Sequence, residues 1–310
     1  MINVLFSAKP PNWANYHQHL RDAFAAEGLN VDLSQDHASA DVDYIVFAPN
    51  GPVRDFTPYT KTRAILSLWA GVETVVDNDT LTQPLVRMVD DSLTDGMVEW
   101  VTAHVMRHHI GMDAHIHGQD GAWRDTVYPP LAKNRIVTIL GLGALGTACG
   151  QALAGLGFQV RGWARSAKSV DGIDSFHGAD GLTASLKGAD FVVLLLPQTP
   201  DTENTLNAER LAAMKHGAFV INPGRGPLIN DADLLAALDS GQVKHATLDV
   251  FREEPLPQVD PYWAHPNVTV TPHIASTTRP DTAARIIAQQ IARDQRGEPI
   301  LHVVDRSAGY

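Results

Sequence analysis

Residues 135–146 read Arg135-Ile136-Val137-Thr138-Ile139-Leu140-Gly141-Leu142-Gly143-Ala144-Leu145-Gly146, a β-branched run that passes directly into G-x-G-x-x-G and then into a helical pattern through Leu153. A glycine triplet alone is a weak signal, but a strand before it and a helix after it make a dinucleotide-binding fingerprint. Gly141 permits the tight turn, Gly143 lets the backbone approach a pyrophosphate, and Gly146 lets the helix pack close to the strand. N–H groups at the start of that helix receive the negative charge. The plain alternative is a glycine-rich turn with no ligand.

The residue that reads the adenosine ribose belongs about 20 residues further on, an acid for a free 2′-hydroxyl or an Arg for a 2′-phosphate. Between Gly146 and Asp171 there is no Asp or Glu. The next strand instead delivers Arg161-Gly162-Trp163-Ala164-Arg165-Ser166-Ala167-Lys168. Arg165 and Ser166 at its end, with Lys168 behind them, suit a phosphate, because a guanidinium bonds it bidentately whereas an acid repels it. This segment, Trp163 included, predicts NADP(H) in preference to NAD(H). An exposed loop that is merely basic is the alternative.

Outward from the fingerprint, short aliphatic runs alternate with helical patterns along all 310 residues, the pattern of parallel sheets with crossover helices. A first series comprises a strand at 2–6, a helix over 13–27 closed by Gly28, and strands near 31, at 44–47, at 64–68 and near 85–89. It has no glycine fingerprint. A helix over about 95–110 leads to a second series, with strands at 135–140, 158–163, 191–196, 218–222, 245–250 and 268–271. A final helix over about 279–292 carries Pro280 in its first turn.

The length fits two domains, and 44% hydrophobic with 19% charged residues fits a globular chain rather than a disordered or fibrous one. With 24 Lys+Arg against 35 Asp+Glu, the formal net charge of −11 disfavours general attraction to nucleic acid or an anionic membrane. An anion must therefore meet a local island of positive charge. The single cysteine, Cys149, excludes an intrachain disulfide and a Cys-based zinc site and predicts a reducing compartment, the cytoplasm. The N-terminus lacks a basic n-region, and the longest aliphatic run, 191–196, is far short of the roughly 20 residues that span a bilayer.

Three later strands end in chemistry-bearing residues, where ligands of open α/β sheets bind. The run Ala218–Asn222 leads into Pro223-Gly224-Arg225-Gly226, His245–Val250 into Phe251-Arg252-Glu253-Glu254-Pro255-Leu256, and the last strand into Pro272-His273-Ile274-Ala275. Arg225 can grip carboxylate and carbonyl oxygens through its planar fork. As imidazolium, His273 can protonate an oxygen that becomes an alkoxide, and Glu254 beside it favours the charged ring. Together they suit hydride transfer to a 2-keto acid. Singly, each has a plainer reading: a turn salt bridge, a surface acid before proline, a core histidine.

The order of these motifs, with Ser67-Leu68-Trp69-Ala70-Gly71-Val72-Glu73 upstream and Val303-Val304-Asp305 with Gly309-Tyr310 at the end, resembles the D-2-hydroxyacid dehydrogenase family over nearly the whole chain. The resemblance implies Arg225, Glu254 and His273 as the catalytic set. It implies backbone N–H groups around Ala70, Gly71 and Val72 for the substrate carboxylate, and Pro197 and Asp249 as further cofactor contacts. It also implies an α/β fold of two doubly wound parallel-sheet domains, a Rossmann domain (99–271) inserted in a flavodoxin-like substrate domain (1–98 with 272–310) that closes over the ligands. The expected reaction is NADPH-dependent reduction of a small 2-keto acid such as glyoxylate or hydroxypyruvate. The expected assembly is a homodimer through about 94–128, with Trp100 and Trp123 either as interface anchors or as core residues.

Other readings stay open at this level. A dinucleotide-sensing corepressor-like protein, a dehydrogenase for a bulkier keto acid, and formate or phosphite oxidation all use the same scaffold. His104, His108, His109, His115 and His117 raise a metal site, but no nearby acid completes H-E-x-x-H, so they read as a solvated or interfacial cluster with no metal. Cys149, among small residues of the helix after the fingerprint, reads as packing.

Overall fold

The computed structural model describes residues 1–123 and 128–306. Gly309 and Tyr310, and residues 124–127 of the segment expected to dimerise, lie outside the described residues. The chain forms two compact units, one of Met1–Leu93 with the segment from Thr278 onward, the other Thr94–Thr277. Both crossings differ from the sequence expectation of 98/99 and 271/272. The consequence matters for the site, because Pro272 and His273 belong to the second unit with Arg225 and Glu254.

In the first unit five parallel strands, β1 (Ile2–Ser7), β2 (Val31–Ser34), β3 (Tyr44–Phe47), β4 (Ala64–Ser67) and β5 (Leu85–Val86), lie in the order β2-β1-β3-β4-β5. Alternate side chains point to opposite faces. Val4, Phe6, Tyr44, Val46, Ala64 and Leu66 meet the helices α1 (Pro10–Ala26) and α8 (Pro280–Gln295) through Leu20, Phe24, Ile287 and Ile291. Leu5, Ile45, Phe47 and Ile65 face the other way, onto Phe56, Val72, Val75 and Leu81.

The second unit is a seven-stranded parallel sheet, β12-β11-β10-β9-β6-β7-β8. Its strands are β6 (Ile136–Leu140), β7 (Gln159–Ala164), β8 (Asp174–His177), β9 (Phe191–Leu194), β10 (Ala218–Asn222), β11 (Val243–Leu248) and β12 (Val268–Val270). The order reverses between β6 and β9, which places the switch point at the fingerprint. One face packs Val137, Ile139, Phe191, Val193, Phe219 and Ile221 against α2 (Asp91–His109), which the short α3 (Met112–His117) follows in the chain, and against α4 (Ala144–Gly155), with Cys149 fully buried. The other face packs Val192, Leu194, Val220 and Leu248 against α5 (Gly178–Leu186), α6 (Ala208–Ala213) and α7 (Asp231–Asp239).

Two expectations change here. His108 and His109 are buried rather than solvated: His108 stacks on Phe219 and bonds Thr247 at 2.8 Å, and His109 meets the edge of Phe158. The two tryptophans part company, since Trp100 packs into the core beside His104 whereas Trp123 is 91% exposed. Among the described residues no helix is long and apolar enough to cross a membrane.

Candidate active site

The fingerprint loop connects β6 to α4. Gly141 adopts φ +111°, and a Cβ there would lie 2.5 Å from the Leu195 carbonyl oxygen. A Cβ on Gly146 would come within 1.8 Å of the Gly141 carbonyl, so any side chain would push helix from strand. Gly143, the N-cap of α4, is different: it is exposed and nothing lies within 4 Å of its missing Cβ, which leaves room for a ligand at a helix N-terminus. Ala144 is exposed beside it. Leu142 and Leu145 point inward, Leu142 against Gly162, so these two can serve a cofactor only through their backbone.

Arg165 and Ser166 lie exposed just past the end of β7, and Lys168 folds back so that its Nζ donates to the Leu142 carbonyl at 2.6 Å. Cationic side chains and an open helix N-terminus thus share one edge of the sheet, and this donor set fits a phosphorylated dinucleotide. The Trp163 indole N–H donates to the Gly178 carbonyl at 2.8 Å, and its partly buried ring packs against the core. Pro197 follows β9 at the same edge, its carbonyl accepting from the Thr202 hydroxyl.

Arg225 is presented by a turn that Asn222 builds. The Asn222 amide donates to the Arg225 carbonyl at 2.9 Å and accepts from the Gly224 N–H at 3.1 Å. Nδ1 of His273 donates to Oε2 of Glu254 at 2.7 Å, leaving Nε2 as the ring's second nitrogen, and the imidazole is half exposed. That hydrogen bond raises the His273 pKa, against burial and the positive Arg225, with the Glu254 charge adding to the rise. Burial pushes the Glu254 carboxyl up, but hydrogen bonds from His273 and from the Phe251 N–H, with the His273 and Arg225 charges, hold it below the ordinary carboxylate range. A charged imidazolium beside a carboxylate and a guanidinium can bind an acidic substrate and deliver a proton to it.

Asp249 is 1% exposed, and its carboxylate accepts from the Thr271 hydroxyl and from the N–H groups of Ile274 and Ala275. The carboxylate thereby shapes the segment that carries His273. Sequence reading passed over Asn222. An amide at the end of an otherwise apolar strand was the available signal.

Residues 100–275 match the family model described as D-isomer specific 2-hydroxyacid dehydrogenase, NAD binding domain. The chain belongs to the D-isomer specific 2-hydroxyacid dehydrogenase family. Among curated members, glyoxylate/hydroxypyruvate reductase A of Serratia proteamaculans is 39% identical over 81% of this chain and 82% of its own length. The protein of that name from Photorhabdus laumondii is 36% identical over 95% and 98%. Among solved D-isomer specific 2-hydroxyacid dehydrogenases, that of Xanthobacter autotrophicus Py2 in complex with NADPH and MES has a TM-score of 0.90 at 38% identity, covering 100% of this chain and 99% of its own. The NADPH-dependent glyoxylate/hydroxypyruvate reductase of Sinorhizobium meliloti, in complex with NADP and sulfate, has a TM-score of 0.87 at 35% identity, covering 100% of both chains.

Within the first unit of this family member, Ala70, Gly71 and Val72 follow β4. Ser67 ties off the strand by accepting from the Trp69 N–H and donating to its carbonyl, both at 3.0 Å. Among the described residues, the N–H groups of Ala70, Gly71 and Val72 donate to no acceptor. Successive free N–H groups of this kind form an anion-binding concavity.

Proposed function

We propose that this protein is an NADPH-dependent reductase of small 2-keto acids, glyoxylate and hydroxypyruvate foremost, yielding 2-hydroxy acids. The observation that carries the reading is the 2.7 Å His273–Glu254 pair, set with Arg225 on the sheet whose switch point bears the fingerprint. The three reductases named above and the NADPH and NADP complexes of the solved relatives support the substrate class and the cofactor.

Bound NADPH supplies a hydride to the keto carbon. Gly141–Gly146 and the start of α4 take its pyrophosphate, while Arg165, Ser166 and Lys168 take its 2′-phosphate. In the first unit, the free N–H groups of Ala70, Gly71 and Val72 suit a carboxylate. Arg225 orients the keto acid and polarises its carbonyl. His273 donates the Nε2 proton as the oxygen gains charge, and Glu254 holds the ring through Nδ1 in the orientation and charge state this needs. In the oxidative direction the neutral imidazole takes that proton back.

The buried thiol of Cys149 supports a cytoplasmic location. The exposed apolar residues Ile116, Trp123, Tyr128 and Leu131, from 54% to 91% accessible, support a homodimer through this region of the second unit. Sedimentation at low concentration tests the latter, and a monomer removes it.

The deciding experiment follows reduced-nicotinamide absorbance with NADPH and NADH against glyoxylate, hydroxypyruvate, pyruvate and a bulky aryl keto acid. Turnover with NADPH on the two small acids is expected. Equal efficiency with NADH removes the cofactor preference, and no turnover on any keto acid removes the reductase.

A further inference from the structure

Arg252 lies two residues before Glu254, in the loop after β11, with 34% of its side chain exposed. Its guanidinium donates to the Ile229 carbonyl at 2.7 Å, the Pro227 carbonyl at 3.4 Å, Glu203 Oε1 at 3.0 Å and the Asn204 side-chain oxygen, and it pairs with Asp231 Oδ2 at 3.2 Å. Pro227 and Ile229 belong to the turn that opens with Arg225, and Glu203 with Asn204 to the loop after β9. A lone surface ion pair is worth little. A single planar fork that reaches several acceptors, two of them carbonyls of one turn, fixes two loops against each other. Gly226 lets them meet, since a Cβ there would lie 2.0 Å from the Phe251 carbonyl carbon.

We propose that Arg252 is a positioning residue for the reaction, clamping the loop that carries Glu254 onto the turn that carries Arg225 so that substrate grip and acid–base pair keep one geometry. The proposal rests on the roles given to Arg225, Glu254 and His273 under Proposed function. Arg252 acts through the loop: the Phe251 N–H donates to Glu254 Oε1 at 2.9 Å, and Oε2 accepts from His273. The charges that bear on His273 are those of Glu254, Arg225 and Asp249. Removal of Arg252 reaches the imidazole by letting Glu254 move.

The test titrates isotope-labelled histidines by NMR in the intact protein, with His273 signals identified by their loss in His273→Asn. In Arg252→Ala the His273 pKa is expected to fall toward its ordinary value. The basic limb of kcat/KM for the keto acid should fall with it. The same variant should lose about tenfold or more in kcat/KM, part of the ~10²–10⁴ that a positioned acid contributes, with NADPH affinity kept within about twofold. Arg252→Lys keeps the charge but cannot span both loops, and is expected to shift in the same direction; it decides the matter if the alanine variant does not fold. An unchanged His273 titration in the folded variant overturns the clamp. Failure of the wild type to reduce any keto acid overturns the reductase reading instead, and the titration still judges the clamp.

Discussion

His273 and Asp249 are joined through the backbone: the His273 N–H donates to the Asp249 carbonyl at 2.8 Å. His273 is held at φ +55°, a left-handed conformation uncommon outside glycine. The Asp249 carboxylate secures it from the far side by accepting the N–H groups of Ile274 and Ala275, each at 2.9 Å. Asp249→Ala leaves these donors without their acceptor, and a buried unmade hydrogen bond costs about 1–3 kcal/mol. The expected result is a lower melting temperature together with a loss of kcat, measured by thermal unfolding and steady-state kinetics. Full kcat in a folded variant would separate Asp249 from the placement of His273.

The Glu254 hydrogen bond raises the His273 pKa, and this sets a pH dependence. Reduction needs the imidazolium, so its rate holds below the raised value and falls as pH climbs through it. Oxidation needs the neutral ring and runs the other way. The stability that the pair contributes is present below the ordinary histidine value and is likewise lost as pH rises through the folded one. Glu254→Gln moves the falling limb of reduction to lower pH, while His273→Asn lowers kcat by about 10²–10⁴ with NADPH affinity kept. A kcat/KM profile whose limb stays in place in Glu254→Gln would contradict the pairing.

Acid stability follows from the buried histidines of the second unit. Burial pushes His108 down to about 3, with the His245 and Arg107 charges adding to the fall and Asp113 opposing it. It pushes His245 down to about 4, again with Arg107 adding and Asp113 opposing. The unfolded chain takes up protons near 6.5 that the folded chain refuses. Stability is therefore complete above that value and is lost as pH falls from about 6.5 toward 4. Urea midpoints measured across this range should decline. Replacing both residues by Gln should flatten the decline, and an equal slope in the double variant would place the acid sensitivity elsewhere.

Cofactor choice is expected to rest on Arg165. A charge-assisted hydrogen bond is worth about 1.5–3 kcal/mol, so Arg165→Ala should raise KM for NADPH by roughly 10–100-fold and leave KM for NADH nearly unchanged. Comparable losses with both cofactors would show that Arg165 serves the dinucleotide generally and not its 2′-phosphate.

Strands β3 and β10 have the boundaries that their residues predict, because each is a short, wholly buried and mostly apolar run set in a parallel sheet. Strand β8 was not legible. Asp174-Ser175-Phe176-His177 has no aliphatic pattern, and it forms an edge strand because β7 offers it a free side. His108 and His109 were misread for a related reason. Helical spacing says which residues share a face, but the partner, here Phe219, Thr247 and Phe158, comes from distant strands.

The sequence by itself determined the fingerprint, the cationic end of β7 and the three reactive residues at strand ends, because each is a local requirement: a glycine where a Cβ would strike a carbonyl, an arginine where an acid would be expected, a polar group just past an apolar run. Only the tertiary structure decided which partners the Asp249 carboxylate and the Trp163 indole take, that His273 belongs with the second unit, and that Arg252 joins two loops. The partners of Asp249 lie up to 26 residues away and those of Arg252 up to 49. The pairing of β9, β10 and β11 brings those partners within hydrogen-bond reach, and no local pattern encodes which donors a buried carboxylate or which acceptors a guanidinium will meet.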